Sequence, residues 1–356
     1  MDFLAGNRIR GTTTEKATLV PAVTGTGGWK EVGRTTLGST TEPITVSSLP
    51  DKKYYMILTN VFPNSGRAAT TRRLGYNSVD TGSNYSSRRS DNGSSPGNTN
   101  INRQHSDNVN LSSDATPQFC VDYCSNISSK EKLGQTLMVL QNTAGASNAP
   151  ERAESVWKWT NTSNPLNIYE IKREPSESAD WLSGSECVVL GWDPTDTHTT
   201  NFWEELTTKQ GTGAGSPLTT DTFTAKKYLW IQMYIDASSS CEFRVGTGGT
   251  IDTGSNYALR TSSNGGTDET KINQVHLNAP TSKGFINMFI VNNSANEKLC
   301  IYHLIDQGTA GAGNPPSRRE YVGKWINTSG QIDVVQLYGS GVTFNADSVI
   351  KVWGSD

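Results

Sequence analysis

The sequence predicts an all-β protein: two tandem antiparallel β-sandwich domains, jelly-roll-like, preceded by an extended N-terminal arm. Three observations carry this. The chain of 356 residues repeats itself, and the hexapeptide DTGSNY at residues 80–85 returns unchanged at residues 252–257. Strand-length runs rich in aromatic and β-branched residues alternate with clusters of Gly, Asn, Ser and Pro. No stretch of ten or more residues carries a convincing helical period.

The repeat comes first because it fixes the organisation. Trp29 in GWKEV answers to Trp203 in FWEEL, and KKYYMIL at Lys52 to KKYLWIQ at Lys226. Further along, SSKEKL answers to SANEKL, QNTAGASNAP to DQGTAGAGNP, and VWKWTNTS to VGKWINTS. Matching SECVVLGW to ADSVIKVW brings Trp192 onto Trp353. These matches divide the chain into an arm (1–28), a first repeat (29–193), a linker (194–201) and a second repeat (202–356). Each repeat is too long for a solenoid unit and long enough for its own core.

Within each repeat the elements follow in order. KYYMILTNVF and KYLWIQMYI read as strands, then FCVDYCSNI and FINMFIVNN, then KLGQTLMVL and KLCIYHLI. Turn clusters such as NSG, SDNG, SPGN, SNGG and TAGAGNPP separate them. Many short strands with polar turns predict a sandwich. The arm is Thr- and Gly-rich, has no period, and is too poor in apolar residues to fold alone. Its Arg8 and Arg10 are candidate anchors to an acidic partner.

Composition sets limits on function. Net charge is −3 and charged residues make up 18 % of the chain, so no general basic field recruits nucleic acid or an anionic membrane. No apolar run reaches the length of a membrane span, and the first residues lack a signal-peptide core, which implies synthesis in a cytosol. The five cysteines are odd in number and form no Cys-x-x-Cys pair. Cys120 and Cys124 match Ile286 and Ile290, which marks them as reduced core residues rather than metal ligands. No cofactor pattern occurs.

The duplicated Asp-Thr-Gly-Ser raises an aspartic protease as a remote alternative, because that chemistry needs two facing carboxylates sharing a proton. The flanks argue against it. GYNSV and TGGTI precede the motifs where an apolar strand belongs, and polar, Arg-bearing segments follow. The turn reading is preferred: the aspartate accepts a backbone N–H two residues on, and the glycine takes positive φ. A loop calcium site using Asp80 or Asp252 is a minor alternative. His105 in INRQH and His276 in INQVH match, and Trp181 and Trp230 have no tryptophan at the matching site. These four are the candidate glycan or partner contacts. Trp159 with Trp325, and Trp192 with Trp353, are paired and so read as structural. No enzyme motif is present.

The leader AGNRIRGTTTEK, the segments WKEVGRTTL, KKYYMIL, DTGSNYSSRRSDNG and QNTAGASNAPERAE resemble those of virion surface proteins of marine tailed phages. The resemblance spans nearly the whole chain and implies a tail-fibre, head-fibre or capsid-decoration protein. It implies an N-terminal arm docked on other virion proteins and assembly in the host cytoplasm. It also implies a homo-oligomer, with a trimer the expected form, and contact with host surface glycan. A free carbohydrate-binding protein is the alternative from another class.

Overall fold

The computed structural model describes residues 28–64, 70–94, 97–101, 104–105, 116–173, 180–196, 200–280 and 282–356. Arg8 and Arg10, with the rest of the arm up to residue 27, lie outside the described residues. The first repeat folds as β1 (Lys30–Thr36), β2 (Ile44–Val46), β3 (Tyr54–Val61), β4 (Thr70–Tyr76), β5 (Ser78–Val79), β6 (Tyr85–Asp91) and β7 (Gly97–Ile101). It continues as β8 (Gln104–His105), β9 (Gln118–Ser125), β10 (Lys132–Leu140), β11 (Glu151–Trp159), β12 (Ile168–Arg173) and β13 (Glu186–Trp192). The second repeat starts with β14 (Glu204–Gln210), β15 (Leu218–Thr219), β16 (Tyr228–Asp236), β17 (Glu242–Thr247), β18 (Thr250–Ile251) and β19 (Tyr257–Ser263). It ends with β20 (Glu269–Gln274), β21 (Leu277–Asn278), β22 (Lys283–Val291), β23 (Lys298–Asp306), β24 (Ser317–Trp325), β25 (Val334–Tyr338) and β26 (Val349–Ser355). The described residues contain no helix.

Each repeat is a sandwich of an eight-stranded and a five-stranded sheet, all antiparallel. The first repeat orders them β1-β13-β3-β9-β10-β11-β6-β7 and β2-β12-β4-β5, with β8 also paired to β4, on the edge that β12 does not occupy. The second repeat copies both orders strand for strand, as β14-β26-β16-β22-β23-β24-β19-β20 and β15-β25-β17-β18 with β21 on β17. The chain alternates between sheets for most of its course, so neighbouring segments bury their apolar faces against each other.

Three large apolar cores result, with a small fourth cluster of Cys120, Met138, Leu140 and Ala153 in the first repeat. One fills the first sandwich around Ile44, Ile57, Leu74, Trp159 and Ile171. Another fills the second around Ile231, Phe243, Met288, Val335 and Ile350. The third lies between the two eight-stranded sheets, which pack outer face to outer face. Strand β3 shows why its sequence is almost uninterruptedly apolar. Tyr55, Ile57 and Val61 enter its own sandwich, and Met56 and Leu58 face the other repeat. The molecule is therefore a four-layer stack of five-, eight-, eight- and five-stranded sheets.

The sheet registers correct two sequence matches. Trp353 lies opposite Trp230 in the β26–β16 ladder, while Leu190 lies opposite Met56 in the β13–β3 ladder. Trp230 and Met56 are repeat equivalents, so Trp353 corresponds to Leu190 and not to Trp192. His105 pairs with Thr71, whereas the equivalent of Thr71, Glu242, pairs with Asn278. His105 therefore corresponds to Asn278, and His276 precedes its strand. Both slips are of two positions, which in a strand keeps every side chain on its face and so leaves the apolar pattern looking right.

Candidate functional site

The duplicated hexapeptide builds the same knot in each sandwich. Oδ1 of Asp80 accepts the Gly82 N–H at 2.9 Å, and both of its oxygens accept Nδ2 of Asn84. Oδ2 also accepts Nε1 of the buried Trp159 on β11 at 2.7 Å. The Tyr85 hydroxyl lies 2.9 Å from the Asp80 carbonyl, and it accepts the Leu74 N–H at 3.0 Å on the facing sheet. Asp252 repeats each contact with Gly254, Asn256, Trp325 and Tyr257, again with the tryptophan at 2.7 Å. The motif thus ties a turn to a core tryptophan and across to the other sheet, with each aspartate ringed by donors of its own repeat. One expectation is corrected: neither Gly82 nor Gly254 has positive φ. Glycine instead leaves room for the asparagine: a Cβ there would lie 2.8 Å from its Nδ2 and push it away from the aspartate.

A second duplicated feature was not legible as a motif. Lys132 and Lys298 are buried, and each ammonium donates to three backbone carbonyls, those of Ser128, Lys130 and Asn161 or of Ser294, Asn296 and Asn327. Each also lies over its tryptophan, Trp159 or Trp325, at 5.7 Å. Burial pushes the Lys298 ammonium down to about 8.

The candidate contact residues fall elsewhere. Trp181 is 0 % exposed and bridges Thr41 and Pro63, with Arg173 over its ring, so it has no face to offer a sugar. Trp230 stacks on Phe289 and packs beside Trp203 and Trp353, and its Nε1 donates to Asn287. Nδ1 of His276 lies 3.1 Å from the Glu242 carboxylate, and burial lowers the imidazole below its ordinary value. The backbone of His105 pairs with β4, and its side chain lies outside what is described. The structure does not bring these four together. All five cysteines are buried and none is in a disulfide, and burial pushes the Cys241 and Cys300 thiols up to about 12.

The joint between repeats combines apolar, aromatic and charged contacts. Phe119 stacks on Tyr228 across it, with centroids 6.3 Å apart. Arg152 pairs with Asp268 at 2.8 Å and with Glu320 at 3.1 Å. The β10–β11 loop, 141–150, docks on the second repeat. Lys324 donates to the Gln141 and Thr143 carbonyls and pairs with Glu297. Glu297 in turn accepts the Gly145 N–H, and Arg260 Nε donates to the Pro150 carbonyl. Glu186 accepts from Lys227 and the Tyr228 hydroxyl. Burial alone would raise its carboxyl, but bonds from Thr36, Lys227 and Tyr228 hold it below the usual range. Glu151 lacks such help, and burial pushes it up to about 7 despite Arg260.

The first sandwich also buries a polar network that sequence reading missed. Arg72 pairs with Asp122 at 3.0 Å with both side chains fully buried, and Asp122 also accepts from Tyr169 and Thr136. The equivalents of Arg72, Asp122 and Tyr169 in the second repeat are Phe243, Met288 and Val335, all buried. Charge set against an apolar equivalent was a signal available in the repeat alignment.

No family model matches the chain, and no curated protein matches it. Among solved structures it is similar to mouse laminin alpha1 chain domains LG4-5, at 10 % identity over 91 % of this chain and 89 % of that one, TM-score 0.21. It is similar to human GIVD cytosolic phospholipase A2 at 7 % identity over 78 % of this chain and 31 % of that one, TM-score 0.12. A third is the calcium-bound pair of C2 domains of Extended-Synaptotagmin 2, at 10 % identity over 86 % of this chain and 100 % of that one, TM-score 0.17. At these TM-scores none of the three bears on fold or function.

Proposed function

We propose that the chain is a structural protein of a virion surface, a fibre, tail or capsid-decoration component attached through residues 1–28. The observation that carries this reading is the joint. An apolar core and buried ion pairs fuse the two sandwiches into one four-layer body, which suits a load-bearing surface subunit. The residues that the rival readings would use serve packing: Trp181 and Trp230 are engaged in apolar contacts, and Asp80 and Asp252 hold turns to core tryptophans. The resemblance of the leader and strand segments to phage surface proteins adds to this support.

The test is mass spectrometry of purified particles from the source culture. Hundreds of copies per particle indicate a capsid-wide decoration protein, and a few to a few dozen indicate a fibre or tail component. Absence from particles, with the isolated chain binding glycan, would replace this reading by the carbohydrate-binding one. Deleting residues 1–28 is expected to leave both sandwiches folded and abolish attachment.

A further inference from the structure

The joint uses opposite ends of the two repeats. On the first repeat it covers Phe119 and Val139. Their equivalents on the second repeat, Phe285 and Ile305, are open, at 38 % and 49 % exposure. On the second repeat the joint covers Tyr228, Leu299 and Val322. Their equivalents on the first, Tyr54, Leu133 and Val156, are open, at 38 %, 57 % and 54 % exposure. Each repeat thus has one end of its outer sheet face filled by the other repeat, and one end vacant. Such a contact is heterologous, and it leaves one complementary half free at each end of the molecule.

The vacant half on the first repeat is already shaped. A groove of about 630 Å³ lies among Arg88, Leu133, Val156 and Lys158. The equivalent positions, Arg260, Leu299, Val322 and Lys324, are those onto which loop 141–150 docks. The pair that receives the loop is duplicated too. Lys158 binds Glu131 at 3.0 Å, matching Lys324 with Glu297.

The incoming loop is also duplicated. Segment 307–316 is exposed throughout, and it carries the same internal geometry as 141–150. Asn148 Nδ2 donates to the Ala144 carbonyl at 3.1 Å, and Asn314 Nδ2 to the Ala310 carbonyl at 3.0 Å. Gly145 and Gly311 hold φ of +93° and +104°, a conformation open to glycine. Thr309 and Gly311 therefore present the carbonyl and N–H that Thr143 and Gly145 use in the joint.

We propose that the protein self-associates head to tail, the second repeat of one copy docking on the first repeat of the next through a copy of the internal joint. Lys158 then donates to the Thr309 carbonyl of the neighbouring copy, Glu131 accepts its Gly311 N–H, and Phe285 stacks on Tyr54. Because the joint apposes outer faces and displaces the repeats along their strands, each step turns the sheet over and moves it on. Repetition gives a staggered two-layer strip rather than a closed trimer. This inference does not depend on the virion reading.

The experiment uses the full chain in sedimentation velocity across a concentration series, with Val156→Asp blocking one half and Ile305→Asp the other. Both sites are about half exposed, so the variants are expected to keep the parent's near-ultraviolet circular dichroism and melting temperature. Leu133→Lys and Phe285→Lys provide a second pair should either fail to fold. The parent mass is expected to grow with concentration beyond that of one 38.6 kDa chain. Each variant alone is expected to stay at one chain. Mixed one to one, each variant still has one intact half, so the mixture is expected to stop at a dimer. A parent that stays monomeric overturns the proposal, as does a discrete trimer insensitive to either substitution, or a mixture with no dimer.

Discussion

Replacing Asp80 or Asp252 by asparagine separates a structural turn from a catalytic dyad. The carboxylate of Asp80 accepts the Gly82 N–H, the Asn84 side-chain amide and the Trp159 indole, and it donates nothing. Asparagine must turn its NH₂ toward one of those donors. If its oxygen stays on Gly82, the amine meets Nε1 of Trp159, which the carboxylate had bonded at 2.7 Å. A bond from a neutral donor to a charged acceptor contributes about 1.5–3 kcal/mol, and stranding a buried N–H costs about 1–3 kcal/mol. Each substitution should therefore remove about 2–3 kcal/mol, allowing for partial relaxation of an exposed turn. For repeats of this size that lowers the melting temperature by about 4–12 °C. The two knots lie in separate cores, so the losses should add in the double variant within about 0.5 kcal/mol. Urea unfolding followed by tryptophan fluorescence reads the loss, with hydrolysis of a denatured protein substrate measured in parallel. Variants within about 0.5 kcal/mol of the parent would refute the structural account. If hydrolytic activity were present and vanished in those same variants, the dyad would take its place.

Three further outcomes follow from the joint and the cores. Arg152→Met leaves Asp268 without its 2.8 Å partner and Glu320 with Arg318 alone, and should cost about 3–5 kcal/mol and split one calorimetric transition into two; a single unshifted transition counts against the joint as the source of rigidity. Glu151→Gln tests pH dependence. The folded-state value of Glu151, about 7, exceeds its ordinary 4.5, so the folded state binds the extra proton and parent stability falls as pH rises through that window. The glutamine variant should match the parent near pH 5 and exceed it by about 1–2 kcal/mol near pH 8, after discounting for solvent; equal stability at both pH values refutes this. Trp181→Ala should cost about 3–5 kcal/mol by cavity formation and leave any glycan-array signal unchanged. A stable variant that loses glycan binding would return Trp181 to the surface role that the sequence suggested.

The strands were legible because the chain states each of them twice. KYYMILTNV and YLWIQMYID are weak signals alone, yet in register they define β3 and β16 and fix the cysteine-for-isoleucine exchange at Cys120 and Cys124. Position along a strand was less legible. A slip of two residues preserves the face, so Trp192 fell on Trp353 and His105 on His276, and only ladder hydrogen bonds reveal the error. Burial of Trp181 was not legible at all. Uniqueness within a repeat alignment marks an unshared position, and a large core side chain on a residue whose backbone bridges Thr41 and Pro63 is as unshared as a ligand contact.

The two repeats also differ unevenly, and the unevenness has a physical cause. Their sandwich cores have diverged to the point where a buried ion pair, Arg72–Asp122, stands where Phe243 and Met288 pack. The positions that dock the loop have not, although Leu58, Val121 and Leu137 of the apolar joint correspond to Gln232, Asn287 and His303. Leu133, Val156, Lys158 and Glu131 keep the residue types of Leu299, Val322, Lys324 and Glu297, although only the second set is buried by the joint. Thr309, Ala310, Gly311 and Asn314 likewise keep the types of Thr143, Ala144, Gly145 and Asn148, although it is the first loop that docks on the chain's other repeat. A core tolerates exchange as long as volume and polar partners are satisfied together. A solvent-facing groove carries no such restraint on Leu133 and Val156, and exposed apolar pairs over an ion pair are disfavoured unless something covers them. Retained chemistry at the loop-docking positions is therefore what a docking face used a second time, between copies, would require.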